Sequence, residues 1–259
     1  MSSTKFRVES GLQLLTRLTK KPDIENFYPN LFKSGPKQGH IIEIFSEDDV
    51  SCVLWDVICE SLIPLKLGGK EAGVVIFNTD GKLNFDNVVK VLRKKLLARL
   101  DDSSQIECFL QNTLSNLFIF EIYNATQLHT TIHTLDSILI NYSNISLVVF
   151  DTLTAFYWSE QGFKITKLDV YIKTLLRIIQ NIVKDYKVTI LYTRPQYFSS
   201  SKEQIENLES CCEYPTVEQL NYRIQIVFTD SGTHHAIVRM FDEQYKSSFK
   251  QLDDNVMWI

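Results

Sequence analysis

Leu147-Val148-Val149-Phe150-Asp151 is the stretch on which the reading of this chain turns. Four apolar residues run without a break into an aspartate. Alternate side chains of a strand point to opposite sides, so a continuous apolar run fits a strand buried on both faces. The closing carboxylate matches the Walker B pattern, in which an aspartate at the end of such a strand holds a magnesium shell. Many buried strands end in aspartate, so the surrounding elements must decide.

The same kind of run recurs on either side. Ile41 to Phe45, Val74 to Phe77, Leu117 to Ile122 and Val188 to Tyr192 are short, apolar and nonalternating, as Ile145 to Phe150 is. Helical periods separate them. They cover Val50 to Leu62, the stripe Phe85, Val88, Val89, Leu92, Leu96 and Leu97, then Ile106 to Leu114, Thr126 to Ile140 and Leu168 to Tyr186. Ser10 followed by Leu12, Leu15 and Leu18 predicts an N-capped amphipathic helix, closed by Lys20-Lys21-Pro22. Residues 22 to 39 hold three prolines and two glycines and read as a lead-in loop. Gly68-Gly69 marks a turn. Residues 195 to 221 are polar and without a period. Tyr222 to Phe228 and Ala236 to Phe241 predict a terminal hairpin around Ser231-Gly232. The pattern implies an α/β fold, a mainly parallel sheet flanked by helices with a C-terminal antiparallel hairpin. The expected division is residues 1–40, an N-terminal helix and loop, and residues 41–259, the core. There is no internal repeat.

The 259 residues, 44% hydrophobic and 22% charged, suffice for one large core without disulfides or metals. A net charge of −4 gives no global drive toward nucleic acid or an anionic membrane. Five cysteines (52, 59, 108, 211 and 212) with no C-x-x-C spacing point to reduced thiols in the cytosol or nucleus. No apolar stretch has the length of a membrane span and the first residues lack an apolar signal region, so no membrane role is expected. Sequons at Asn124, Asn141 and Asn144 then read as chance matches.

In a parallel α/β sheet the functional crevice lies at the carboxyl ends of the strands. The first such turn reads Ser46-Glu47-Asp48-Asp49-Val50-Ser51-Cys52-Val53. A phosphate-binding loop would read G-x-x-x-x-G-K-[ST], with glycines that let backbone N–H groups wrap phosphates, a lysine, and a hydroxyl for magnesium. Here Ser46 and Ser51 replace the glycines, Cys52 the lysine and Val53 the hydroxyl. Three carboxylates flank them, and like charges in a partly dry crevice repel by on the order of several kcal/mol. The turn alone leaves two readings open, a dead nucleotide site or a turn that never bound one. Asp151 at the Walker B position favours the first. Asp80 follows the second strand, where RecA-like ATPases place the acid that orients water. Gln196 follows Val188 to Tyr192, where that group places a nucleotide-sensing glutamine. ATP and magnesium are therefore not expected as cofactors.

Three stretches carry a resemblance: Glu9-Ser10-Gly11-x-x-Leu14-Leu15-x-Arg17-Leu18, Pro29-Asn30-Leu31-Phe32, and Asp151-x-Leu153-x-Ala155-Phe156-Tyr157-Trp158. They resemble the X-ray repair cross-complementing group two family, paralogues of the eukaryotic RecA-type recombinase, from about residue 8 to 195. The resemblance implies a RecA-like core, a nuclear location, and a role in homologous recombination and double-strand break repair. It also implies assembly with a RecA-like recombinase paralogue, the D-type above all, inside a larger complex. Relatives commonly keep G-x-x-x-x-G-K-T, and this chain departs from them there. Full recombinases carry a helical domain before the core, where this sequence leaves room for one helix and a loop. Such a subunit is expected to cap an array.

The function expected is a noncatalytic subunit that holds its partner and meets DNA mainly through the complex. Leu12, Leu15 and Leu18 are candidate partner contacts. Phe156, Tyr157 and Trp158 read equally as core residues capping the sheet or as a partner-facing aromatic anchor. Two alternatives stand beside this: a weak DNA-dependent ATPase using Asp80 and Asp151 with its site completed by a partner, or a direct single-strand DNA binder acting through the helix around Lys94. Lys90, Arg93, Lys94, Lys95 and Arg99 could touch phosphates but read as a solvated face. The 195–221 connection carries Glu203, Glu206, Glu209, Glu213 and Glu218 against Lys202, which disfavours DNA there. His129 and His133 read as a surface pair. His234 and His235 point to opposite faces of a strand, and Cys211-Cys212 reads as incidental.

Overall fold

The computed structural model describes residues 9–100, 102–162, 166–196, 220–240, 243–252 and 255–259. Its helices are α1 (Gly11–Leu18), α2 (Pro29–Phe32), α3 (Ser51–Leu62), α4 (Phe85–Leu97), α5 (Ile106–Leu114), α6 (Ala125–Asn141) and α7 (Leu168–Val183). Its strands are β1 (Ile41–Ser46), β2 (Gly73–Asn78), β3 (Leu117–Glu121), β4 (Ile145–Asp151), β5 (Thr189–Pro195), β6 (Tyr222–Val227), β7 (His234–Met240), β8 (Glu243–Leu252) and β9 (Asn255–Trp258). They form one sheet in the order β3-β2-β4-β5-β1-β6-β7-β8-β9. The pairs from β3 through β6 are parallel, and β6 through β9 pair antiparallel.

The apolar runs serve two cores at once. In β4, Leu147 and Val149 face the layer of α3 and α4, while Val148 and Phe150 face α6 and α7. In β2, Val74 and Ile76 divide from Val75 and Phe77 in the same way. Each such side chain removed from water contributes about 1.5–3 kcal/mol, and a strand so placed has no polar face to display.

Two readings are extended by the structure. The lead-in loop contains α2, and Ile24, Phe27, Tyr28, Leu31 and Phe32 are buried in the sheet's own core. Gly35 permits this packing, because a Cβ there would meet the Tyr222 hydroxyl at 1.8 Å. The expected hairpin is β6–β7, but β8 and β9 continue it and close over α3. Trp258 Nε1 donates to the Tyr28 hydroxyl at 2.6 Å, and that hydroxyl bonds to Asp56. β8 was hidden because only Phe249 of its ten residues is fully buried.

Helix α1 carries a capping box between Ser10 and Gln13. It rests on α6 through Thr16, whose hydroxyl reaches Ile140 O at 3.4 Å. Just beyond, buried Lys21 donates to Ile145 O at 2.8 Å. Burial lowers its pKa to about 8.

Candidate functional site

The crevice forms where β1, β2, β4 and β5 end. Ser46 is buried: its hydroxyl donates to Ile226 O at 2.9 Å and accepts the Asp48 N–H at 3.1 Å. Val50 occupies the N-cap of α3 without a side-chain bond, and its carbonyl receives Val53 N and Leu54 N. Asp49 takes over the capping. Its Oδ1 accepts from Ser51 N at 2.9 Å and from the Ser51 hydroxyl at 2.6 Å. A helix N-terminus attracts anions through its free N–H groups and dipole. Here the chain's own carboxylate holds that position.

The residues replacing lysine and hydroxyl offer neither a cation nor a hydroxyl to the crevice, although Cys52 lines its edge. Val53 is fully buried. Cys52 is nearly so, and burial pushes its thiol up to about 11. A cavity of about 530 Å³ adjoins the turn, lined by Asp48, Asp49, Asp230, Trp55 and Phe228 among others. Among the described residues its lining holds three carboxylates and no Lys or Arg. Phosphate groups do not fit such a lining.

Asp151 is 5% exposed and ends β4 as the Walker B reading requires. Its Oδ1 accepts from the Thr193 hydroxyl at 2.6 Å, while Oδ2 has no hydrogen-bond partner. Burial raises its pKa to about 6; the bond from Thr193 opposes this, and the charges of Asp80 and Asp49 add to it. Lys82 supplies the cation. Its ammonium lies 3.0 Å from Asp80 Oδ2, and the hydrogen bond to Asp80, then the fields of Asp80, Asp49 and Asp151, raise its pKa. The arrangement therefore gathers Asp49, Asp80, Asp151 and Lys82. Gln196 joins by its backbone, with N to Ser46 O at 2.6 Å, and its side chain accepts from Gln225 at 3.2 Å. Sequence reasoning missed Lys82 and Thr193.

Among the described residues no three His, Cys, Asp or Glu side chains gather as a metal site. His129 instead meets Glu160 at 2.8 Å, and Tyr171 donates to the same carboxylate at 2.5 Å. This fixes the segment after Asp151. Within that segment the aromatic trio divides. Tyr157 is buried and donates to Thr166 O at 2.5 Å. Phe156 is half-buried against the α6–α7 core, and Trp158 is 61% exposed. Leu12, Leu15 and Leu18 are 53%, 62% and 68% exposed, so the apolar stripe of α1 faces outward.

The basic face on and just beyond α4 is solvated as read, with Lys90, Lys94 and Arg99 exposed, and three of its cations are paired. Lys95 lies 2.9 Å from Asp56 and 3.0 Å from Glu60, and Arg99 lies 2.6 Å from Glu60. Arg93 pairs with Glu107. Lys94 is exposed. His234 accepts from Thr229 N and His235 meets the Ser248 hydroxyl. Cys211-Cys212 and the glutamates from 203 to 218 lie outside the described residues.

No helix among the described residues is long and apolar enough to cross a membrane. No protein-family model matches the chain. The chain is 22% identical over 256 residues to the DNA repair protein XRCC2 of the mouse, Mus musculus, a match that covers 96% of this chain and 90% of that protein. Coverage this complete extends the likeness well beyond the three motif stretches, and with the sheet order it makes this an XRCC2-like chain with a RecA-like α/β core.

Proposed function

We propose that the chain is a noncatalytic subunit of a nuclear recombinase-paralogue complex, acting in double-strand break repair by homologous recombination. The observation that carries this reading is the Asp49 carboxylate on the N-terminus of α3, where a phosphate would have to sit. A weakly exposed thiol at Cys52 and an apolar Val53, where lysine and hydroxyl would stand, support a function without ATP or magnesium. The similarity to a DNA repair protein supports the process.

The chain then works by holding a partner. The outward leucines of α1, clustered on one helix, and the exposed indole of Trp158 are the apolar surfaces assigned to it from among the exposed hydrophobic side chains. Aromatic anchors at protein interfaces contribute about 2 kcal/mol or more each. The partner is a RecA-like recombinase paralogue, of the D-type as the resemblance implies, and DNA is met mainly through the complex. Coexpression with that partner tests this. Trp158→Ala should weaken recovery of the complex at least tenfold without changing the melting temperature of the isolated chain. Full recovery with Trp158→Ala and with the α1 leucines replaced would refute the assignment of these surfaces.

A further inference from the structure

A second groove, of about 480 Å³, lies at the opposite end of the sheet, under α7 and beside the starts of β1 and β5. Its rim carries Lys173, Arg177, Lys184 and Lys187, with the amides of Gln180 and Asn181 between them. Among the described residues no carboxylate lines it. We propose that this groove binds the phosphate backbone of a nucleic acid.

The spacing supports a linear polyanion. Residues 173, 177, 180 and 184 stand at i, i+4, i+7 and i+11, one face of a helix. At 1.5 Å per residue they spread positive charge and amide donors over roughly 16 Å. A single phosphate or carboxylate needs no such length, whereas a nucleic-acid strand offers a charge at regular intervals along it. Val188 and Ile190 provide an apolar floor, which keeps the cations at the rim and in water.

The contrast with the other basic surfaces is what singles out this one. On α4, Arg93, Lys95 and Arg99 are matched by Glu107, Asp56 and Glu60. Arg194 and Arg223 share the one carboxylate of buried Glu43 and are themselves largely buried. Among the described residues no ion pair neutralises Arg177, Lys184 or Lys187, and all three are exposed. The dipole of α7 accounts for a cation at its C-terminal end, such as Lys184. It does not account for Arg177, two turns earlier. In a protein of net charge −4, the exposed Arg177, Lys184 and Lys187 around one groove form a local field that the global charge does not predict. An acidic protein segment would meet the same cations. The amide donors between them and the regular spacing favour phosphates and sugars, and the DNA repair relative points the same way.

The groove is remote from the β1–α3 turn, roughly a strand length of 20 Å away, and its role does not depend on how the chain holds a partner. Fluorescence anisotropy of labelled single-stranded and duplex oligonucleotides with the full chain tests it. The double variant Arg177→Glu/Lys184→Glu should lose at least tenfold in affinity. It should also flatten the slope of log affinity against log salt by about 1.5 to 2, as expected for two lost phosphate contacts. Arg177→Gln/Lys184→Gln should fall between it and the native chain. Lys66→Glu/Lys250→Glu, which changes the net charge equally at exposed sites elsewhere, should lose less than threefold. All substituted residues are exposed, and matched thermal melts confirm folding. Equal losses in the two charge-reversed variants, or an unchanged salt slope, overturn the proposal. So does failure of the native chain to bind either oligonucleotide while it binds polyglutamate, which would assign the groove to an acidic protein.

Discussion

Asp49 Oδ1 accepts both the backbone N–H and the hydroxyl of Ser51, at 2.9 and 2.6 Å, and so caps α3 with the chain's own negative charge. The same helix end in a phosphate-binding loop is left open for a ligand. Calorimetry with ATP and magnesium should therefore show no saturable heat at physiological concentration. Asp49→Ala should cost about 0.5–2 kcal/mol of stability through the lost cap. It should still confer no binding, because positions 52 and 53 remain a cysteine and a valine without the lysine and hydroxyl that hold phosphate and magnesium.

Asp151 carries a pH dependence whose sign follows from its burial. Its carboxyl binds a proton more tightly in the folded chain, with a pKa of about 6 against 3.8. Stability from this group is thus full below about pH 4 and is lost as pH rises through 6. Asp151→Asn removes the ionised form and should raise stability at neutral pH by roughly 1–3 kcal/mol. The gain should vanish near pH 4. Urea melts at the two pH values check this, and equal effects at both would contradict it.

Glu43 in the centre of the sheet joins Arg194 at 2.7 Å and the Tyr192 hydroxyl at 3.0 Å. Arg223 Nε lies 2.8 Å from its other oxygen without hydrogen-bond alignment, so that contact is Coulombic. Removing one member of a buried ionic group strands the rest. Glu43→Ala should cost about 3–5 kcal/mol in urea melts, against under about 0.5 kcal/mol for an exposed change such as Lys66→Ala.

The parallel part of the fold was legible because its inner strands β1, β2, β4 and β5 are buried on both faces and helical periods separate the runs. Val148 and Val149 serve opposite cores, so the run from Leu147 to Phe150 could have no polar gaps. The end of the sheet was not legible. β8 alternates around Tyr245 and Phe249 among polar residues, and β9 has four residues whose packing depends on Tyr28, some 230 positions away. At the crevice, Asp151 and the substituted turn were readable from position. Lys82 and Thr193 were not, since their roles come from three-dimensional neighbours. The aromatic trio shows the same limit. Its sequence could not say that Tyr157 turns inward to Thr166 while Trp158 turns out.

The account rests most directly on what holds the complex together. Leu12, Leu15 and Leu18 are more than half exposed, so Leu12→Ser/Leu15→Ser/Leu18→Ser should change the isolated chain's stability by less than about 0.5 kcal/mol per site. These substitutions are cleaner than deleting residues 1–22, which would also remove Thr16 from α6 and buried Lys21 from Ile145 O. The decisive measurement is copurification of the coexpressed RecA-like partner with this triple variant and with Asp151→Ala. The account predicts that the leucine variant loses the partner and that Asp151→Ala retains it. Retention by the leucine variant together with loss by Asp151→Ala would contradict it, and would place a nucleotide-dependent interface at the crevice instead.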